Sequence, residues 1–386
     1  MRQSAALKFI ILLGIVSLFA DVTYEGARSI TGPYLAVLGA SATVVGLVSG
    51  FGELLGYGLR LASGYLSDRT GKYWLITIVG YTINLIAVPF LALTDHWPAA
   101  ACLIVTERVG KAIRTPARDA MLAHASKTMG HGKGFGIHEA LDQIGAMLGP
   151  LIVSGVLLLK GSYRTGFAIL LLPALLALGV LFTARFFYPS PKDFETDKPQ
   201  EAPFGFSRTY WIYLAAVAFI AAGYADFPLI AFHFEKTQTI PKAWIPALYS
   251  VAMAADAIAA LSFGYWFDRR GVSVMFFAAF LSLFFAPLVF FGNFWLAFFG
   301  MVLWGLGMGA HESVMRAAVS SMTPAGYRGR AFGIFNTGYG LFWFLGSAVM
   351  GVLYDKSVML IVLFSVAVQF VSLPLLWVVS KKGRLA

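Results

Sequence analysis

The sequence predicts an all-α membrane protein with twelve transmembrane helices in two pseudo-symmetric six-helix bundles. Three observations carry this. First, the 386 residues are 59% hydrophobic and 12% charged, with a mean hydropathy of +0.75, whereas soluble domains average about 25% charged residues. Second, the apolar residues fall in runs suited to a hydrocarbon core of roughly 30 Å, which takes about 20 helical residues. Third, GYLSDRTGKYW at 64–74 returns as GYWFDRRGVSV at 264–274, as a duplicated half would require.

Breaking the apolar runs at charge and turn clusters places spans at 8–37, 43–65, 73–94, 98–116, 135–159, 165–185, 209–234, 244–265, 273–292, 294–315, 331–353 and 358–380. The first run is too long for a cleaved leader, carries Asp21, Glu25 and Arg28, and has no small-residue cleavage site. It reads as a retained span. The second and eighth spans each end at an Asp-Arg pair, and Pro116 and Arg118 close the fourth. The most polar stretch, Pro189 to Arg208, holds Asp193, Glu195, Asp197 and Glu201 among several prolines. The expected domains are therefore an N-terminal six-helix bundle (1–188), a cytoplasmic linker (189–208) and a C-terminal six-helix bundle (209–386).

With the first residue inside, 21 of the 29 Lys and Arg fall in inner segments, five in outer loops, and Arg28, Arg60 and Arg108 within spans. The positive-inside rule then puts both termini on the cytoplasmic side of a membrane that the chain crosses many times. That asymmetry accounts for the net charge of +10. A nucleic-acid partner is not expected, because the cations are set among 34 Phe and 9 Trp in continuous apolar runs. The single cysteine, Cys102, excludes a disulfide framework, an iron–sulfur cluster and a Cys-based zinc site. No cofactor and no metal site is expected. No nucleophile-plus-base constellation, phosphate loop or extra-membrane catalytic domain suggests an enzyme.

The repeated loop resembles the signature of the major facilitator superfamily: a glycine, Asp-Arg, a further glycine and a basic residue, here Gly64, Asp68, Arg69, Gly71 and Lys72. The second copy keeps Gly264, Asp268, Arg269 and Gly271 but has Val272 in place of the last basic residue. The resemblance implies a transporter that works by alternating access, binding cargo between its halves near the mid-plane. Gly136, Gly145, Gly149 and Pro150 are similar to an antiporter signature, although Val153 and Ser154 replace its trailing glycine pair. A close helix-packing face is the plainer reading of Gly145 and Gly149. Asp68, Arg69, Asp268 and Arg269, at helix ends, suit a cytoplasmic gate with Gly64, Gly71 and Lys72; solvated topology anchors are the alternative. Glu139 and Asp142, in the first turns of the fifth span, join that gate set, with Arg114 or Arg118 as their expected partners.

Nine of the 19 acids fall within spans, where an ionisable group costs several kcal/mol unless it finds a partner or faces a cavity. Asp21, Glu25 and Arg28 share one helical face at i, i+4 and i+7, beside Tyr24. A silent Glu25–Arg28 pair is one reading and a proton or substrate site the other. At an offset of 200 residues, Tyr224 matches Tyr24 and Asp226 falls beside the match to Glu25. Glu53 is an isolated mid-span carboxylate suited to carrying a proton. Glu107 and Arg108 point about 100° apart on an ideal helix and are not expected to pair; His311 and Glu312 complete the cavity candidates. The resemblance places all of these but Glu53, which joins the candidates as a lone mid-membrane acid with Arg60 two turns on, on helices that line the central cavity. The expected function is proton-coupled export (antiport) of a small organic molecule, by a monomer that uses the lipid bilayer and protons. Proton-coupled uptake (symport) of an organic anion, export of a metal ion or chelate, and a non-transporting receptor remain as alternatives.

Overall fold

The computed structural model describes residues 3–126, 131–159, 161–189, 206–323 and 328–382. Among these residues every regular element is helical: α1 (Gln3–Val37), α2 (Ala42–Thr70), α3 (Tyr73–Phe90), α4 (Trp97–Ser126), α5 (His131–Leu158), α6 (Tyr163–Ile169), α7 (Leu171–Phe187), α8 (Arg208–Gly223), α9 (Phe227–Thr237), α10 (Trp244–Arg270), α11 (Ser273–Ser282), α12 (Phe285–Phe291), α13 (Phe294–Ser321), α14 (Arg328–Lys356) and α15 (Val358–Lys382). All but the ends of the expected linker lie outside the described residues. Three expected spans are interrupted helices: α6–α7 at Leu170, α8–α9 at Tyr224 to Asp226, and α11–α12 at Leu283 and Phe284. Among the described residues, 11 helical segments are long and apolar enough to cross a membrane. The 30-residue α4 is long enough, but its charges keep it out of that set.

The largest boundary difference is in α4, which runs on to Ser126 rather than stopping at 116. Pro116 costs one backbone hydrogen bond, yet the turns after it bury Ala117, Met121, Leu122 and Ala125. That burial offsets the missing bond and carries Arg118 inside the same helix as Lys111 and Arg114 rather than into a loop.

The chain forms two compact units. One comprises Met1–Gly39, Leu55–Asp197 and Lys242–Ser250; the other comprises Ala40–Leu54, Lys198–Pro241 and Val251–Ala386. In the first unit α1 packs on α5, α7 and α4, and α3 packs on α4. In the second α8 packs on α14 and α15, and α13 packs on α11 and α12. The same scheme of partners in both units makes the duplication structural as well as sequential.

Apolar packing in the first unit centres on Phe9, Ile10, Leu13, Tyr81, Leu122 and Leu181. On α7 the inward face is Ala174, Ala177, Leu181 and Ala184, spaced for one side of a helix, while Leu172, Leu175, Phe182 and Phe186 point outward. A helix apolar on both faces is what a bilayer solvates.

In the second unit the start of α2 is held by Asp355 at the end of α14. Its carboxylate accepts from the backbone N–H of Ala42 at 3.0 Å and of Thr43 at 2.8 Å, and from the Thr43 hydroxyl at 2.6 Å. An anion here satisfies orphan donors and complements the helix dipole. Asp355→Ala is expected to lower the thermal midpoint in detergent by an amount equivalent to about 0.5–1 kcal/mol, the low end for a cap because Asp355 is exposed. Asp355→Asn should restore part of it. An unchanged midpoint for the alanine variant would remove the cap from the account.

Candidate functional site: a buried polar cluster on α1, α4 and α5

Three helices of the first unit each carry a polar stripe. On α1 it is Ser17, Asp21, Tyr24, Glu25 and Arg28; on α4, Glu107, Lys111, Arg114 and Arg118; on α5, His138 and Asp142. Spacings of three and four keep each stripe on one face. The helices meet because small residues let their backbones approach. A Cβ at Gly145 would lie 2.9 Å from Cβ of Asp21, and one at Gly149 would lie 2.9 Å from the Gly26 nitrogen. Gly145 and Gly149 thus lie at a close crossing of α5 with α1.

Near the α5 start, Ser17 Oγ is a hub. It lies 3.0 Å from His138 Nε2 and 3.3 Å from the Tyr81 hydroxyl, and Arg118 Nη1 donates to it at 3.0 Å. His138 Nδ1 is 3.5 Å from Asp142 Oδ2, one turn along. Arg118 also pairs with its neighbour Asp119 at 2.8 Å. The short contact of Asp142 is thus with His138, while the expected partners Arg114 and Arg118 act on it through space and Arg118 also reaches α5 through the shared serine. Glu139 is exposed and accepts from Gln143 at 3.3 Å.

In the middle of the cluster Lys111 Nζ sits 3.8 Å above the Tyr24 ring. Arg114, 1% exposed, lies 4.1 Å over Tyr81 and 5.9 Å from Tyr24. Asp21 and Glu25 are within electrostatic reach of Lys111. Glu25 is 7% exposed, and its Oε2 accepts from the hydroxyl of Tyr249 at 2.6 Å. Tyr249 comes from the first turns of α10, which belong to this unit; Ser250 and Ala243 bond to α5 through Met147 and Ser154.

On the α3 side Asn84 donates to Glu107 Oε1 at 2.7 Å, and Glu107 Oε2 lies 3.3 Å from Arg108 Nε. This corrects the expectation that Glu107 and Arg108 do not pair. The flexible arginine stem brings its Nε back across the 100° step, and both side chains avoid burying charge without a partner.

The remaining candidates are dispersed. Glu53 is half-buried on α2 and falls in the second unit. There Asp226, 1% exposed, caps α9 by accepting from Phe227 N–H at 2.9 Å. Its pseudo-equivalent region of α1 runs unbroken, so the matching carboxylates sit in different backbone settings. Tyr224 is fully buried between Trp304, Trp343 and His311 and donates to the Trp304 carbonyl. His311 Nδ1 lies 3.2 Å from the Tyr339 hydroxyl, and Glu312 beside it is half-buried. In the loop motif Gly71 and Gly271 both take left-handed backbone, φ +63° and +56°, which explains a glycine in each copy. Gly64 abuts Pro116 of α4, with 3.5 Å available to a Cβ. Asp68, Arg69, Lys72, Asp268 and Arg269 are exposed; Tyr73 donates to Asp68 at 3.1 Å, and Arg269 donates to the Tyr265 hydroxyl.

Three polar stripes, two helical units of related packing and buried charge fit a membrane transporter of the alternating-access class. The Major Facilitator Superfamily model matches residues 11–347 and 212–384, and the chain belongs to that superfamily. An uncharacterised protein of Mycobacterium bovis is 38% identical over 382 residues, 97% of this chain and 93% of that one. An uncharacterised MFS-type transporter of Methanocaldococcus jannaschii is 28% identical, covering 91% of this chain and 89% of its own. A mutant of the nucleoside transporter NupG superposes with a TM-score of 0.77 at 13% identity, covering 95% of this chain and 99% of that one; it shares the fold.

Proposed function

We propose that this transporter exports a small organic molecule from the bacterial cytoplasm in exchange for protons, with both termini on the cytoplasmic side and the chain acting as a monomer. The observation that supports this best is the carboxylate of Glu25, buried on α1 within reach of Lys111 and tied to Tyr249. Such a group can hold a proton in one state and a hydrogen bond in the other, so protonation biases the equilibrium between them. Glu53 and Asp226 are secondary carriers. The two loop motifs, with Asp68 and Asp268 at helix ends, serve as the cytoplasmic gate between an N-terminal and a C-terminal bundle. Export rather than uptake is favoured by the Gly136, Gly145, Gly149 and Pro150 pattern.

The test uses ligands selected by thermal shift and then followed in proteoliposomes under an imposed pH gradient. Antiport moves ligand against the proton flow, and symport moves it with the flow. Ligands that bind yet move at the same rate with and without the gradient would refute proton coupling; ligands that never cross would refute transport of that cargo.

A further inference from the structure

The hydrogen-bonding capacity of the cluster is unevenly used. Glu25, Glu107, Asp142 and Arg118 all meet polar side-chain atoms directly, whereas the two cations at its centre meet only ring faces and the through-space charge of Asp21, Glu25 and Asp142. Arg114 is 1% exposed, and its Nε and Nη1 make no hydrogen bond to any described residue. Lys111, one turn earlier on the same face of α4, contacts the face of Tyr24, and among the described residues nothing accepts a hydrogen bond from its ammonium. Buried charged donors left unspent cost several kcal/mol, so a fold that keeps two of them side by side has a use for them.

We propose that Lys111 and Arg114 form an oxyanion subsite, with the rings of Tyr24 and Tyr81 as its apolar floor, that takes the carboxylate or phosphate group of a small organic cargo. The inference rests on the transport reading above. The geometry suits the chemistry: a guanidinium offers two parallel donors to two oxygens, and an ammonium supplies a point charge beside them. Lys111 is half-buried whereas Arg114 is enclosed. Asp21 and Glu25, within electrostatic reach of Lys111, set the selectivity. They repel a second negative charge, so the subsite prefers one anionic group per cargo.

Calorimetric titration of the purified full chain in detergent, with no gradient, tests this with three probes: benzoate, phenyl phosphate and the uncharged benzamide. Saturable binding of benzoate or phenyl phosphate with none of benzamide is expected, and which oxyanion binds more tightly identifies the group. Arg114→Gln should weaken binding about tenfold or more, Lys111→Gln less, and Arg114→Lys should recover part of the loss. Ligand-free melting curves check that each variant is folded, and the probe preference of the unaltered chain stands independently of any variant. Equal binding of benzamide, no binding of either oxyanion, or unchanged affinity in folded Lys111→Gln and Arg114→Gln variants would overturn the subsite. Loss of pH-driven flux with oxyanion binding intact would instead overturn only the proton coupling.

Discussion

Replacing Glu25 with Gln is expected to flatten the pH dependence of transport while leaving gradient-free counterflow measurable. The glutamine keeps the shape and can still accept from Tyr249, whose hydroxyl lies 2.6 Å from the carboxylate, but it cannot take up or release a proton. Flux driven by a pH gradient should therefore fall to the level of empty liposomes. Tyr249→Phe makes the complementary change. It leaves the carboxylate and removes its donor, forfeiting a charged hydrogen bond of about 1.5–3 kcal/mol, equivalent to roughly 10–100-fold in the population it supports. A reduced rate with the pH dependence retained is the expected signature. Full pH-driven flux in the Glu25→Gln variant would move the proton site elsewhere, with Glu53 and Asp226 next in order.

The second large effect is expected at Gly149. A Cβ there would come within 2.9 Å of the Gly26 nitrogen on α1, and backbone atoms cannot swing aside as a side-chain tip can. Gly149→Val should force α1 and α5 apart, with an overpacking cost of about 1–3 kcal/mol or more, and should also widen the gap between their polar stripes. Lower thermal stability and lost ligand binding are expected together. Gly155→Val, on the same helix with no atom within 4 Å of its Cβ position, is the control and should melt near the unaltered protein. If Gly149→Val melts like that control, the close crossing of α1 and α5 is wrong.

The helices and their duplication were legible because they rest on composition, run length and a repeated loop, all of which survive without knowledge of contacts. The α1 stripe was legible as well, since Asp21, Glu25 and Arg28 fall at helical spacing inside an uninterrupted apolar run. Its partners on α4 were not. Pro116 and the basic residues around it look like a span end, so Lys111, Arg114 and Arg118 were counted as solvated topology signals. Their spacing of three and four from Glu107, continuing past the proline, was the available clue that the helix goes on. Tyr249 left no such trace, because only folding brings the start of α10 to α1 and α5. The interruption at Tyr224 to Asp226 was hidden for another reason: a single acid inside an otherwise apolar run does not mark a break, and this one is stabilised by tertiary partners.

That break has a mechanical meaning. The carbonyl of Gly223 receives both Ser365 and Gln369, that of Ala225 receives the Trp304 indole, and Asp226 starts the next helix. An elbow stapled at so many points is a rigid bracket rather than a joint. Flexing must then be sought in uninterrupted rods such as α1, whose 35 residues include Pro33, so the two copies of an ancestral half have divided stiffness and compliance between them.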